Sequence, residues 1–285
     1  MNALLRLAAV MAHPDDESLG FGGVLARYAA EGVQVSLITA TRGQRGRYMG
    51  IRPGPGHPGP EGLAKLREAE LRAAADVLGV SELVLFDYMD GELDRVEPRP
   101  AIALIARHLR RLRPHVVVTF NPEGAYGHPD HVAICQLATA AVVMAADGGA
   151  ELEEEPHAVS KLYYIADTAE LWQVYEYAFK RMVSMVDGVE RQAHAWPDWA
   201  VTARVDTRAY WPTVWKAVSC HQTQITSYEK LAHLSPVHHE ALWGGRTFYR
   251  AFSTVNGGRQ LETDLFEGLR PGAQAPNLTG SAEER

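Results

Sequence analysis

Disulfide chemistry is the first thing this chain lacks. Two cysteines, Cys135 and Cys220, among 285 residues make no covalent framework, so a reducing cytoplasm is the expected compartment. Long hydrophobic runs are missing too. No stretch reaches the roughly 18 apolar residues of a membrane-crossing helix. The N-terminal run Leu7–Ala12 stops at His13-Pro14-Asp15-Asp16, too soon for a secretory signal, and reads as a buried strand. Nor is there an excess of positive charge: 28 Lys plus Arg stand against 35 Asp plus Glu, a net −7. That sign argues against nucleic acid or an acidic membrane face as the main partner. A dinucleotide fingerprint is absent as well, because Gly20-Phe21-Gly22-Gly23 has the wrong spacing and the second strand ends in Ala40-Thr41 without a ribose-binding acid.

What the chain does have is histidine, 12 residues of it, set in a regular βα pattern. Consecutive apolar residues at Leu4–Ala12, Val33–Ala40, Leu83–Phe86 and His115–Phe120 suit strands covered on both faces, as in a parallel sheet. Helical patterns at Leu19–Glu31, Gly62–Leu78, Pro100–Leu112 and His131–Ala145 alternate with them. The pattern predicts an α/β, doubly wound, mostly parallel sheet of Rossmann-like form, with helices on both faces. Beyond the acidic stretch Asp147–Pro156, strands at Lys161–Ala166, Val201–Asp206 and Thr247–Thr254 and a helix near Arg208–Cys220 predict a smaller C-terminal α/β extension. One domain over residues 1–270 is expected, its 1–146 part holding the site and its 157–270 part completing it, with a disordered tail at 271–285. All six tryptophans fall in the second half. Most are expected to fill a core, leaving one or two for sugar stacking or an interface.

In a doubly wound sheet, ligands lie outside the carboxyl ends of the strands, and the loops there are unusual. The first carries His13-Pro14-Asp15-Asp16-Glu17, and the fourth ends in Tyr126-Gly127-His128-Pro129-Asp130-His131. A Gly/Pro-rich stretch, Met49–Gly62, is expected as a lid over the site. His13, Asp16 and His131 supply two imidazoles and a carboxylate, three protein ligands with an open position, as a hydrolytic zinc requires. Iron fits the same donor set. Pro129 suits a first helical turn, which puts Asp130 and His131 near a positive helix end. Asp15, beside the ligand Asp16, is the expected general base, with helix capping as its alternative role. His128, oriented by Asp130, is expected to stabilise or protonate developing charge.

With these motifs quoted, the chain resembles the LmbE-like, or PIG-L, family of zinc-dependent N-deacetylases over at least residues 4–146. The likeness extends to Cys220-His221-Gln222-Thr223-Gln224, similar to a C-terminal His-x-(Ser/Thr)-Gln element. The resemblance implies zinc on His13, Asp16 and His131, Asp15 as base, and His128 held by Asp130. It further implies Tyr126 at the oxyanion or substrate, and Arg67 and Asp90 as sugar contacts. Length and Tyr126 resemble the branch acting on sugar conjugates of the mycothiol and bacillithiol pathways. The implied partner is a small amino-sugar conjugate, with no nucleic acid and no membrane, and the chain is compatible with a homo-oligomer. Gln44 departs from the acidic residue that many members carry after Thr-x-Gly.

The implied reaction is removal of the N-acetyl group from an N-acetylglucosamine conjugate. Amide cleavage of a thiol conjugate and deacetylation of chito-oligosaccharides are the alternatives. A non-haem iron oxygenase would also use two histidines and a carboxylate, but it calls for an all-β fold that the alternation contradicts. A non-catalytic sugar-binding relative would be expected to have lost Asp15 or a ligand.

Overall fold

The computed structural model describes residues 4–178, 181–227, 229–256, 258 and 260–270. The strands are β1 (Arg6–Met11), β2 (Gln34–Thr41), β3 (Glu82–Tyr88), β4 (Val116–Thr119), β5 (Lys161–Ile165), β6 (Val183–Val186), β7 (Val189–Gln192), β8 (Ala203–Asp206) and β9 (Gly245–Ser253). Seven of them form one sheet in the order β3-β2-β1-β4-β5-β9-β8. The first five in that order are parallel, while β9 and β8 extend the sheet antiparallel. The second half of the chain therefore continues the sheet of the first.

The helices are α1 (Asp16–Ala30), α2 (Gly59–Leu78), α3 (Pro98–Leu112), a short turn α4 (Gly124–Gly127), α5 (Pro129–Ala146), α6 (Ala169–Ala178), α7 (Trp211–Val218), α8 (Glu229–Ala232) and α9 (Pro236–Trp243). α1, α2 and α7 pack together, and α3 packs on α5, as the two faces of a doubly wound sheet require. The core sits on the central strands. Leu7 through Ala12 and Val116 through Val118 are at most 1% exposed, and each large apolar side chain buried there contributes roughly 1.5–3 kcal/mol.

The helix α1 starts at Asp16 rather than the expected Leu19, because Asp16 and Glu17 occupy its first turn, where the positive helix end favours carboxylates. The helices α6, α8 and α9, the short turn α4 and the β6–β7 hairpin lie outside the expected elements. The hairpin turns on Asp187-Gly188, with φ of 52° and 77°, the two left-handed positions of a type I′ turn. By length and composition α5 would be able to cross a membrane, yet 56% of it is buried, packed on α3. The expected tail at 271–285 lies outside the described residues.

Candidate active site

β1 and β4 are neighbours, with Leu7–Ala9 opposite Val116–Val118, and the connection order reverses between them. The loops leaving these two strands carry both histidine motifs. After β1, the His13 amide donates to Asp16 Oδ2 at 2.7 Å, which turns the chain into α1. Asp15 pays for that turn with a left-handed backbone, φ 113°, a conformation costing a non-glycine residue on the order of 1–3 kcal/mol. Its amide donates to Glu17 Oε2 at 2.9 Å. After β4, the turn around Gly124 (φ 66°) and Ala125 (φ 61°) leads to His128 at the N-cap of α5. There His128 Nδ1 accepts from the Asp130 amide at 3.2 Å.

Three donor groups then converge. His13 Nδ1 lies 3.2 Å from His131 Nε2 and 3.5 Å from Asp16 Oδ2, while His131 Nε2 lies 3.4 Å from Asp16 Oδ1. A tetrahedral zinc with bonds of about 2.0–2.1 Å spaces its ligand atoms about 3.3–3.4 Å apart. The two imidazole nitrogens thus stand at the spacing of neighbouring zinc ligands, with one Asp16 oxygen beside each of them. Burial alone would lower the His13 pKa, yet hydrogen bonds to Asp130, Asp16 and Asp90 raise it well above the usual imidazole value. Four carboxylates (Asp15, Asp16, Asp90 and Asp130) converge on this spot, an environment suited to a cation. A donor atom of His128 also lies within 4.8 Å of those of His13 and His131, but its Nδ1 is taken by the Asp130 amide. Burial, and then the neighbouring His13 and His131, push His128 down to about 3.

Behind the triad, the Asp130 carboxylate takes a different partner from the one expected. It does not hold His128, which it meets through its backbone amide. Its Oδ2 instead contacts His13 Nε2 at 3.0 Å and accepts the Gly91 amide at 2.7 Å, while Oδ1 accepts the Leu93 amide at 3.1 Å. The reason is local: at the second position of α5 the side chain is directed back toward the β3 loop, away from the His128 ring. Asp90 also faces His13, with Oδ1 at 3.3 Å from Nε2 and Oδ2 accepting the Arg45 amide at 3.1 Å. Gln44 accepts the Asp90 amide at 3.3 Å and donates to Tyr88 O at 3.1 Å, so it braces the β2 and β3 loops against each other.

Arg67 is 4% exposed. Its guanidinium donates to Gly43 O at 3.1 Å, to Pro14 O and to Asp15 Oδ2 at 3.3 Å. Gly43, at φ +64°, makes that possible, since a Cβ there would stand 2.1 Å from Arg67 Nη1. Neither Arg67 nor Asp90 borders the adjacent cavity. In this structure Arg67 contacts Asp15 and Asp90 contacts His13.

That cavity, of about 220 Å³, is bordered by Asp15, Asp16, Tyr126 and His131 and, across it, by Asp167, Trp172, Gln224 and Arg246. Burial, and then Asp16, Asp15, Asp90 and Asp130, push the Tyr126 hydroxyl far above its usual pKa, so it stays protonated. His13 and His128 are not on the lining but touch residues that are: the His128 ring lies 4.8 Å from that of His131 and 6.0 Å from that of Tyr126. At the start of the Met49–Gly62 segment, expected as a lid, the Met49 amide donates to Thr223 O at 2.7 Å, and just before it Gln224 Nε2 donates to Arg47 O at 2.7 Å. Among the tryptophans, Trp211, Trp215 and Trp243 surround His239, Trp199 is exposed, and Trp172 faces the cavity.

Sequence reasoning missed Glu17, Asp167 and Arg246. Glu17 is fully buried, which its place in the first motif could have signalled; the other two stand alone in the sequence and carried no signal. Residues 8–142 match the family described as PIG-L, GlcNAc-PI de-N-acetylase. A 1D-myo-inositol 2-acetamido-2-deoxy-alpha-D-glucopyranoside deacetylase of Kineococcus radiotolerans is 33% identical, over 93% of this chain and 83% of its own length. A conserved protein of Thermus thermophilus shares the fold at a TM-score of 0.63 and 27% identity, over 89% of this chain and 98% of its own. The 4-carboxy-2-hydroxymuconate hydratase of Pseudomonas putida, 18% identical, superposes at a TM-score of 0.67 over 90% of this chain and 99% of its own; at that identity the likeness concerns the fold alone. Sequence identity along nearly the whole chain and the motif pair at the strand ends agree: the protein belongs to the PIG-L family.

Proposed function

We propose that this protein is a zinc-dependent N-deacetylase that frees the amine of a small N-acetylglucosamine conjugate, whose other half is a polyol of the inositol type. The observation that carries the reading is the convergence of His13 Nδ1 and His131 Nε2 at 3.2 Å, with an Asp16 oxygen beside each and Asp15 on the adjacent cavity. The named deacetylase relative supplies the substrate class. All described elements work as one domain in this reading, in the reducing cytoplasm that two free thiols suit.

His13, Asp16 and His131 would hold the metal. When bound there, zinc supplies a Lewis acid and lowers the pKa of water. His13 donates its Nε2–H as a hydrogen bond to the Asp130 and Asp90 carboxylates, which leaves the Nδ1 lone pair free for the metal. The Asp15 carboxylate, fixed by Arg67, takes the proton of the attacking water and can pass it to the departing nitrogen. His128, whose Nδ1 accepts from the Asp130 amide, carries its ring proton on Nε2 and donates it as a hydrogen bond to the carbonyl oxygen as charge develops there. The protonated Tyr126 hydroxyl is a second donor.

The test is an amine-release assay on N-acetylglucosaminyl-inositol, N-acetylglucosaminyl-malate, free N-acetylglucosamine and a simple acetamide, with metal content measured on the same sample. Conjugates should be turned over best, because remote binding energy positions the acetamide. Equal turnover of all four would leave only a generic amidase. Release of no amine from any of them would overturn the deacetylase reading.

A further inference from the structure

The far wall of the cavity carries a charged pair that the deacetylation chemistry does not use. Asp167 follows β5, and Arg246 lies at the start of β9, which runs antiparallel to β5, so both stand at the sheet end that bears the triad. Asp167 follows the strand next to β4, and Arg246 lies on the strand after that, roughly 10 Å beyond β4. Arg246 Nη2 pairs with Asp167 Oδ1 at 3.1 Å. Both are deeply buried, at 7% and 2% exposure, and both border the cavity. Beyond that pair, Arg246 Nε and Trp172 Nε1 have no hydrogen-bond partner among the described residues, although buried polar groups are normally satisfied. Trp172, its ring 5.6 Å from that of Tyr175, forms the adjoining wall.

The geometry points to Asp167, Trp172 and Arg246 as the subsite that reads the polyol half of the substrate, through two adjacent hydroxyls. A guanidinium offers fixed donors and no acceptor, and a carboxylate offers acceptors only. Side by side they match a vicinal diol, one hydroxyl accepting from Arg246 and its neighbour donating to Asp167. An indole face beside them suits the apolar face of a sugar-like ring. The same pair disfavours an anionic group such as malate, because Asp167 already balances Arg246 and repels a second carboxylate. This inference rests on the deacetylase reading above and assigns the residues that choose its aglycone.

The experiment compares kcat/KM for the inositol conjugate, the malate conjugate and the methyl glycoside of N-acetylglucosamine, in the wild type, Arg246→Gln and Asp167→Asn. The wild type should prefer the inositol conjugate to the other two. Arg246→Gln should lower its kcat/KM roughly 10- to 100-fold more than that of the methyl glycoside, the size of one or two hydrogen bonds to a charged group, mainly through KM. Asp167→Asn, which keeps the shape and removes the charge, should narrow the gap between inositol and malate conjugates; it carries the test if Arg246→Gln does not fold. Equal losses on all three substrates, or an unchanged preference, would overturn the subsite. A wild type that deacetylates all three without preference would overturn it too, while leaving the deacetylase reading intact. A wild type that deacetylates none would fail the earlier reading instead.

Discussion

Glu17 and His221 meet at 2.8 Å, 204 residues apart and with both side chains fully buried. The same Glu17 carboxylate accepts the Asp15 amide and the Ser18 hydroxyl. A single side chain thus fixes the strained Asp15 backbone and ties it to the C-terminal element. Removing one member of a buried pair typically costs about 3–5 kcal/mol. His221→Ala should therefore lower stability by that order in denaturant unfolding and reduce kcat through a misplaced Asp15. Unchanged stability and rate would show that Glu17 holds the Asp15 turn without it.

Gly43 is the complementary control on the same turn. Its Cβ would collide with the Arg67 guanidinium, so Gly43→Ala should displace Arg67 from Asp15 and lower kcat while metal content holds. Arg67→Ala should resemble it. A variant with normal kcat would place Arg67 outside the positioning of Asp15.

Asp15→Asn removes a proton acceptor and leaves the triad in place. The expected loss is about 10²–10⁴-fold, the usual contribution of a general base, with metal retained. A loss under about threefold would make Asp15 a structural residue of the turn. His128→Ala should also keep the metal and lower the rate. Loss of metal in that variant would show that His128 is a ligand.

Far from the site, Glu262 accepts from Lys161 Nζ at 2.7 Å, the Tyr163 hydroxyl at 2.6 Å and Asn256 Nδ2 at 2.6 Å. Burial alone would raise its pKa, but these partners, Lys161 first, hold it below the usual carboxylate value. A carboxylate with a lowered folded pKa stabilises the fold above its unfolded value of about 4.3 and loses that contribution as pH falls through the folded pKa. Burial lowers the Lys161 pKa despite Glu262, so desolvation of Lys161 offsets part of the gain. Glu262→Gln should be less stable at neutral pH and show a flatter acid limb of stability than the wild type. Parallel acid limbs would contradict this account.

The first half was legible because strands buried on both faces read as unbroken apolar runs, and β1 and β4 are of that kind. His13 and Asp16 follow β1 directly and His131 closes the loop after β4, so the strand order brings their loops together. Asp130 was legible as a site residue but not in its partner, because spacing along a helix N-terminus does not tell which loop a side chain turns toward. Arg67 and Asp90 were placed in the site by resemblance, whereas their contacts depend on how the β2 and β3 loops fold over His13. Contacts such as Glu17 to His221 and Asp167 to Arg246 span long stretches of chain and leave no local pattern. The β6–β7 hairpin was different, since Asp187-Gly188 was a readable turn signal that the weak alternation around it concealed.

The central claim is that His13, Asp16 and His131 hold the metal on which deacetylation depends. Its most direct test is bound metal in the purified wild type and His131→Ala, with amine release from the inositol conjugate recorded on the same samples. The account predicts stoichiometric metal and turnover in the wild type, and loss of both in the variant. Full metal occupancy and full activity in His131→Ala would contradict it.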